Sequence, residues 1–251
     1  MMKAIGNNII SLSEVDSTNN YANSLKDDKG AHGTVILADT QIEGRGQRGN
    51  SWESEAGKNL TFSVILRHSE LPVQNHFMLN IFISLSICHA IKECTGKECK
   101  IKWPNDIYIS NNKICGILTE NTINGSYISK SIIGIGLNVN QAYFSEGIPN
   151  PTSIYLETGC VVSIENIFKQ LVESMNIFYD MLASKKYEYL NDAYLSNLYR
   201  IGEVHSFFDR VVGHCSFEGK IVGISEIGQL QILDSCGKLR EFNFKELEFV
   251  I

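Results

Sequence analysis

Gly44-Arg45-Gly46-Gln47-Arg48-Gly49 places two guanidinium groups among three glycines. Glycines let a backbone turn tightly and present N–H groups to an anion. Arg45 and Arg48 add forked donors that suit phosphate or carboxylate. Trp52, just beyond, offers a flat face to a purine or another ring system. The six residues fit GxGxxG, but a dinucleotide turn must open a helix, and Asn50 to Lys58 shows no apolar period. The expectation is a loop that is mobile when empty and folds over an anionic ligand. On this loop alone, a solvated surface turn is the alternative.

Lys102-Trp103-Pro104-Asn105-Asp106 is a second constellation. Pro104 holds Trp103 extended, so Lys102 is expected to leave a strand end at a fixed place, where an ammonium could bridge a carboxylate and a phosphate. Asp106 could help hold Mg²⁺, which takes one or two carboxylates plus phosphate oxygens. A solvated lysine and a turn aspartate are the plain alternatives. Gly116, inside Lys113 to Glu120, and Gly134 and Gly136, before Asn138 and Asn140, suggest strands that something approaches closely. An asparagine amide there can read a base edge. Ser17-Thr18-Asn19 could be no more than helix caps.

These residues need a framework of mixed type. Ile9 to Val15 and Thr34 to Ala38 read as strands, with a helix from Ser17 to about Leu25 between them. A strand over Leu60 to Leu66 precedes an apolar helix around Phe77 to Ile91. Hairpins are expected at Asn111-Asn112 and Asn124-Gly125, and a strand through Ile132 to Val139. Ser163 caps a helix with apolar residues at 164, 167, 168, 171, 172, 175, 178, 179 and 182, and another helix covers Tyr187 to Leu198. From there the chain holds only short strands (Val204 to Phe207, Val211-Val212, Lys220 to Ile224, Leu230 to Leu233, Leu239 to Phe242) between glycines, which suggests a small β-barrel. The expected division is a catalytic domain over 1–197 and a barrel over 198–251.

The 251 residues carry a formal net charge of −6 and 43% hydrophobic residues, an ordinary globular balance with no global attraction to nucleic acid. Met1 to Asn8 lack the apolar core of a secretory signal. Phe77 to Ile91 is short and interrupted by Asn80, Ser84, Ser86 and His89, so no membrane span is expected. Seven cysteines without a CxxC pair, and scattered histidines, point away from zinc or disulfides and toward a reducing cytoplasm.

Taken together, Ser17 to Asn19, Gln41 with the Gly44–Gly49 loop and Trp52, Lys102 to Asp106, Lys113 to Glu120, Gly134 to Asn140 and Pro151 to Ile154 resemble the biotin protein ligases, in order and over nearly the whole chain. The resemblance implies an α+β fold: a mixed β-sheet packed with helices, of the class II synthetase-like type, plus an SH3-like C-terminal barrel. It implies activation of biotin by ATP, with Mg²⁺, to biotinyl-5′-AMP, and transfer to a lysine of a biotin carboxyl carrier protein. Lys102 and Arg45 are the expected catalytic residues. Ser17, Thr18, Asn19, Gln41, Arg45, Gly46, Gln47, Lys102 and Gly116 would bind biotin. Arg45, Arg48, Trp52, Lys113 and Asn138 would bind ATP, with Asp106 on the metal. Gln47 stands where the family often has Arg, which removes one cation from the loop.

Some family members begin with a DNA-binding domain. Here the pattern starts by residue 17, so no repressor role is expected. An edge strand within 113–137 could pair two copies in a homodimer. The rival readings are a lipoate-attaching ligase or acyltransferase of related fold, and a non-catalytic sensor of biotin or an adenylate.

Overall fold

The structure, a computed structural model, describes residues 5–25, 32–212 and 215–250. A seven-stranded mixed sheet forms its larger part, in the order β1-β2-β3-β7-β6-β5-β4. These strands are β1 (Ile9–Val15), β2 (Val35–Gln41), β3 (Leu60–Pro72), β4 (Lys100–Lys102), β5 (Asp106–Ile109), β6 (Asn112–Asn124) and β7 (Tyr127–Leu137). β1 and β2 run parallel, joined through α1 (Thr18–Ser24); the remaining pairs are antiparallel. The Asn124-Gly125 turn closes the β6–β7 hairpin, with Gly125 at φ +60, a backbone state that glycine adopts without steric cost.

One face of this sheet packs on α2 (Phe77–Thr95), which is covered in turn by α4 (Ile164–Ala183) and α5 (Tyr187–Ser196). α2 is buried nearly all round, and its 19 residues run past the expected end at Ile91. By length and composition alone the Val73–Thr95 stretch could cross a bilayer, but its side chains are buried within the protein, which is why it needs no polar face. α4 shows the ordinary one-sided pattern. Ile167, Phe168, Leu171, Met175 and Leu182 are buried, and the Ser163 hydroxyl caps its start by accepting from the Asn166 N–H.

The opposite face of the sheet is covered only in part. α1 lays Ala22 over Ile36, Ile65 and Ile132. Beyond α1 the same face is lined by small residues, because the register aligns Thr61 with Gly136 and Ser63 with Gly134 across β3–β7, and Gly136 with Gly116 and Gly134 with Leu118 across β7–β6. That bare area positions the site.

A second, five-stranded antiparallel sheet follows, in the order β11-β10-β9-β8-β12: β8 (Val204–Asp209), β9 (Cys215–Ile224), β10 (Leu230–Asp234), β11 (Leu239–Phe242) and β12 (Leu247–Phe249). Val211 and Val212, expected as a strand, form a turn instead. Their N–H groups donate to the buried Asp209 carboxylate, which also pairs with Arg240. The Trp103 indole N–H donates to the Gly228 carbonyl at 2.9 Å, joining the second sheet to the first.

The expected edge strand within 113–137 is corrected. β6 and β7 are interior strands of the sheet, whose edges are β1 and β4. Only from Leu118 to Asn124 does β6 outrun β5, leaving that stretch paired with β7 alone among the described residues.

Candidate functional site

A cavity of about 660 Å³ opens over the small-residue area of the sheet. The Trp52 indole lies on its floor, flat against Gly116 and Gly136: a Cβ at Gly116 would come within 2.9 Å of the ring, and one at Gly136 would overlap it. Asn19 fills the space above Gly134 in the same way. The strand glycines therefore make room for these side chains of the protein. The Lys113 ammonium lies on the Trp52 ring, 5.6 Å from its centre. The buried indole Nε1–H has no partner.

At α1, Gln41 Oε1 accepts from the Thr18 N–H at 2.8 Å and stands 3.0 Å from the Thr18 hydroxyl. Ser63 Oγ lies 2.7 Å from Thr18 Oγ1 and 2.6 Å from Asn19 Oδ1. The Asn19 amide then donates to Glu120 at 2.7 Å, which fixes its orientation. Thr18, Asn19 and Ser63 are buried, so each link must be made to avoid an unmatched polar group. Ser17 is the N-cap of α1, but its hydroxyl makes no capping bond, contrary to the capping expectation, and Ser17 lines the cavity instead. Neither Ser63 nor Glu120 was singled out from the sequence. Only the strand register, which puts both on the face of Gly134, reveals them.

The arginine loop is a small hairpin. Gly46 N–H donates to the Asn50 carbonyl and Trp52 N–H to Gly44, around a 3₁₀ turn at Gln47–Gly49. The Gly46 N–H is thus used within the loop and does not face an anion, as its glycine content had suggested. Arg45 reaches Glu120 at 2.8 Å and Asn20 Oδ1 at 2.7 Å. Asn20 in turn donates to Asp16, which holds that carboxyl below its ordinary range. Arg45, Gly46 and Gln47 line the cavity. Arg48 belongs to the 3₁₀ turn, and its side chain lies outside the described residues.

The expected bridging ammonium stands at the edge of this arrangement. Lys102 ends β4 as anticipated, yet it does not line the cavity. Its Nζ sits 5.2 Å from the centre of the Tyr108 ring and 5.0 Å from that of Phe249 in β12. Burial there lowers its pKa, against the pull of Asp106. The lysine that lines the cavity is Lys113, with its ammonium 2.7 Å from Asp106 and 5.6 Å from the Trp52 ring centre. The sequence-level reason for choosing Lys102, a strand-terminal lysine before proline, fixed the position of its Cα but not the direction of its side chain.

Asn138 lies beyond Trp52. Its amide donates to the Thr152 carbonyl at 2.9 Å, and its buried Oδ1 is left without a partner. The outer wall is the 144–151 loop, including Phe144, Ile148 and Pro151, docked on the Lys113 backbone through Asn150 and Thr152. Of this wall the sequence marked only Pro151 and Thr152, at the start of the Pro151 to Ile154 stretch. Asp106, expected as a Mg²⁺ ligand, is engaged with Lys113, and no group of three His, Cys, Asp or Glu gathers among the described residues.

This cavity brings together nearly all the residues expected to bind, and comparison with known proteins agrees. The family model described as "Biotin/lipoate A/B protein ligase family" matches residues 12–138. The chain belongs to that family. The "Biotin--[acetyl-CoA-carboxylase] ligase" of Paracoccus denitrificans is 29% identical over 234 residues, 90% of this chain and 95% of the relative. The "Bifunctional ligase/repressor BirA" of Bacillus subtilis (strain 168) is 36% identical over 139 residues, which are 55% of this chain but only 42% of that longer protein. Among solved structures, the biotin protein ligase from Aquifex aeolicus in complex with biotin and ATP superimposes with a TM-score of 0.80 at 30% identity, covering 98% of this chain and 100% of the other. The fold is that of a biotin protein ligase, with the separate five-stranded sheet at its C-terminal end.

Proposed function

We propose that this chain is a biotin protein ligase that forms biotinyl-5′-AMP from biotin and ATP and transfers biotin to a lysine of a biotin carboxyl carrier protein. The observation that carries the reading is one cavity lined by a buried hydrogen-bonding chain, the cations Arg45 and Lys113, and an indole. The ureido ring of biotin needs donors and acceptors, which Ser17, Thr18, Asn19 and Gln41 supply. A lipoyl dithiolane has neither N–H nor carbonyl groups to offer these residues, which favours biotin over the lipoate alternative. Adenine would lie beyond Trp52, where Asn138 Oδ1 is open to an amino donor.

In the first step a biotin carboxylate oxygen attacks the α-phosphorus of ATP, the bond to the α,β-bridging oxygen breaks, and pyrophosphate leaves. Two anions must approach, so cations placed beforehand lower the barrier. We assign that work to Lys113 and Arg45, with Arg48 as a further phosphate donor, and withdraw it from Lys102. Leaving Asp106 for the substrate lets Lys113 act without a backbone change, because only its side chain must turn. In the second step the carrier's lysine amine attacks the acyl carbon and AMP leaves, so no nucleophile of this chain is required. Closure of the arginine loop would keep water from the mixed anhydride.

The two sheets are proposed as two domains divided near residue 198. The free stretch of β6 at Leu118–Asn124 is where a second copy could add. Seven unpaired cysteines support a cytoplasmic setting. Mass spectrometry of a purified carrier domain after incubation with this protein, biotin and MgATP tests the reading: one added biotinyl group is expected, and an unmodified carrier alongside a lipoylated one under matched conditions would overturn it.

A further inference from the structure

We infer that Glu120 is a positioning residue that makes the two substrates bind cooperatively; the inference rests on the function proposed above. Glu120 does not line the cavity, but its carboxylate joins two residues that do, Asn19 of α1 and Arg45 of the arginine loop. Oε2 accepts from the Asn19 amide at 2.7 Å, and Oε1 accepts from Arg45 Nη2 at 2.8 Å. Asn19 belongs to the chain that faces the ureido ring. Arg45 belongs to the loop that faces the phosphate.

One carboxylate on β6, its side chain partly exposed, thus touches two groups that meet different ligands. When Asn19 is fixed by a ring on one side, Glu120 is fixed with it, and Arg45 is held by a carboxylate that no longer moves. The second ligand then meets a guanidinium with less freedom left to lose, which is positive coupling. The same argument runs from phosphate to ring, because coupling in binding free energy is reciprocal. Asn20 also bonds Arg45, at 2.7 Å, but it leads only to Asp16 at the start of α1 and not to the ligand-facing amide. Glu120 is the link that joins Asn19 to Arg45.

The experiment is titration calorimetry of biotin, alone and with saturating α,β-methylene-ATP, which cannot be cleaved at the reacting bond. Wild type is expected to bind biotin about tenfold more tightly with the analogue present, a coupling of ordinary size. In Glu120→Gln the side chain can still accept from Asn19 but carries no charge for Arg45. Biotin affinity alone should stay within about threefold of wild type while the coupling falls to roughly none. Glu120→Asp, drawn back by one methylene, should retain an intermediate coupling. A merely structural role would weaken biotin binding and thermal stability together and leave the ratio unchanged. Coupling that persists in Glu120→Gln, or a wild type that binds biotin with no coupling, overturns the inference. A wild type that binds no biotin at all overturns the proposed function, and the inference with it.

Discussion

Replacing Lys113 with Met and, separately, Lys102 with Met distinguishes the two candidate ammonium groups. Lys113 lies 2.7 Å from a carboxylate in the cavity, with the two side chains 27% and 20% exposed. A unit-charge pair at such a distance is worth about 6 kcal/mol at an effective dielectric near 20. Partial solvation, and competition from Asp106 for the same ammonium, reduce the share available to a substrate anion to about 3 kcal/mol. Lys113→Met should therefore slow adenylate formation roughly 10²-fold. Lys102 sits over the Tyr108 and Phe249 rings and does not line the cavity, so Lys102→Met should keep the rate within about threefold. Its effect belongs to stability, where cation–π contact contributes about 0.5–2 kcal/mol. Biotin-dependent exchange of labelled pyrophosphate into ATP measures the rate, and circular dichroism controls for folding. A folded Lys102→Met without exchange, beside a Lys113→Met that retains it, would refute the assignment.

Burial pushes the pKa of His68 down to about 4, so the folded protein resists a proton that the unfolded chain accepts near 6.5. Its contribution is complete above pH 6.5 and is lost as pH falls toward 4, about 3 kcal/mol in all. Urea midpoints measured at pH 7 and pH 4.5 should differ less in His68→Asn than in wild type. Gly136→Ala should displace the Trp52 indole; overpacking of this kind costs about 1–3 kcal/mol. Weaker ATP-analogue binding and altered Trp fluorescence are expected, and unchanged values for both would exclude the floor contact. Hydrogen exchange should be slow at the arginine-loop base, where the Gly46 and Trp52 N–H groups are bonded, and at 47–50 it should slow further on adding biotin and ATP. Identical rates with and without ligands would remove the lid role.

Periodicity and punctuation made most of the framework legible. The α4 pattern, the Ser163 cap and the Asn124-Gly125 turn are local signals, and the structure reproduces them. The short α3 (Ile154–Thr158) and β12 carried too few residues to show a period. Val211 and Val212 had strand composition, but a buried Asp209 two residues earlier captured their N–H groups. At the site, most of the motif residues fall in one cavity because they lie on adjoining strands and one loop. What the sequence hid was direction. Lys102 is turned by Phe249, which is distant in the chain, and Ser63 matters only because register sets it beside Gly134. Side-chain aim depends on tertiary neighbours, and no local pattern encodes it.

The bond from the Trp103 indole to Gly228 has a mechanical consequence. Trp103 is also packed edge-on against Phe244, while Phe77 presses on Gly228, so the seam is gripped from both sides. Asn105 and Asp106, which border the cavity, follow Trp103 after Pro104 along the chain. A force on the C-terminal sheet would be carried through one rigid side chain into the wall that holds Lys113. Truncation before that sheet would leave an enzyme whose anion-handling end has lost its buttress, with the ring-handling end at α1 undisturbed.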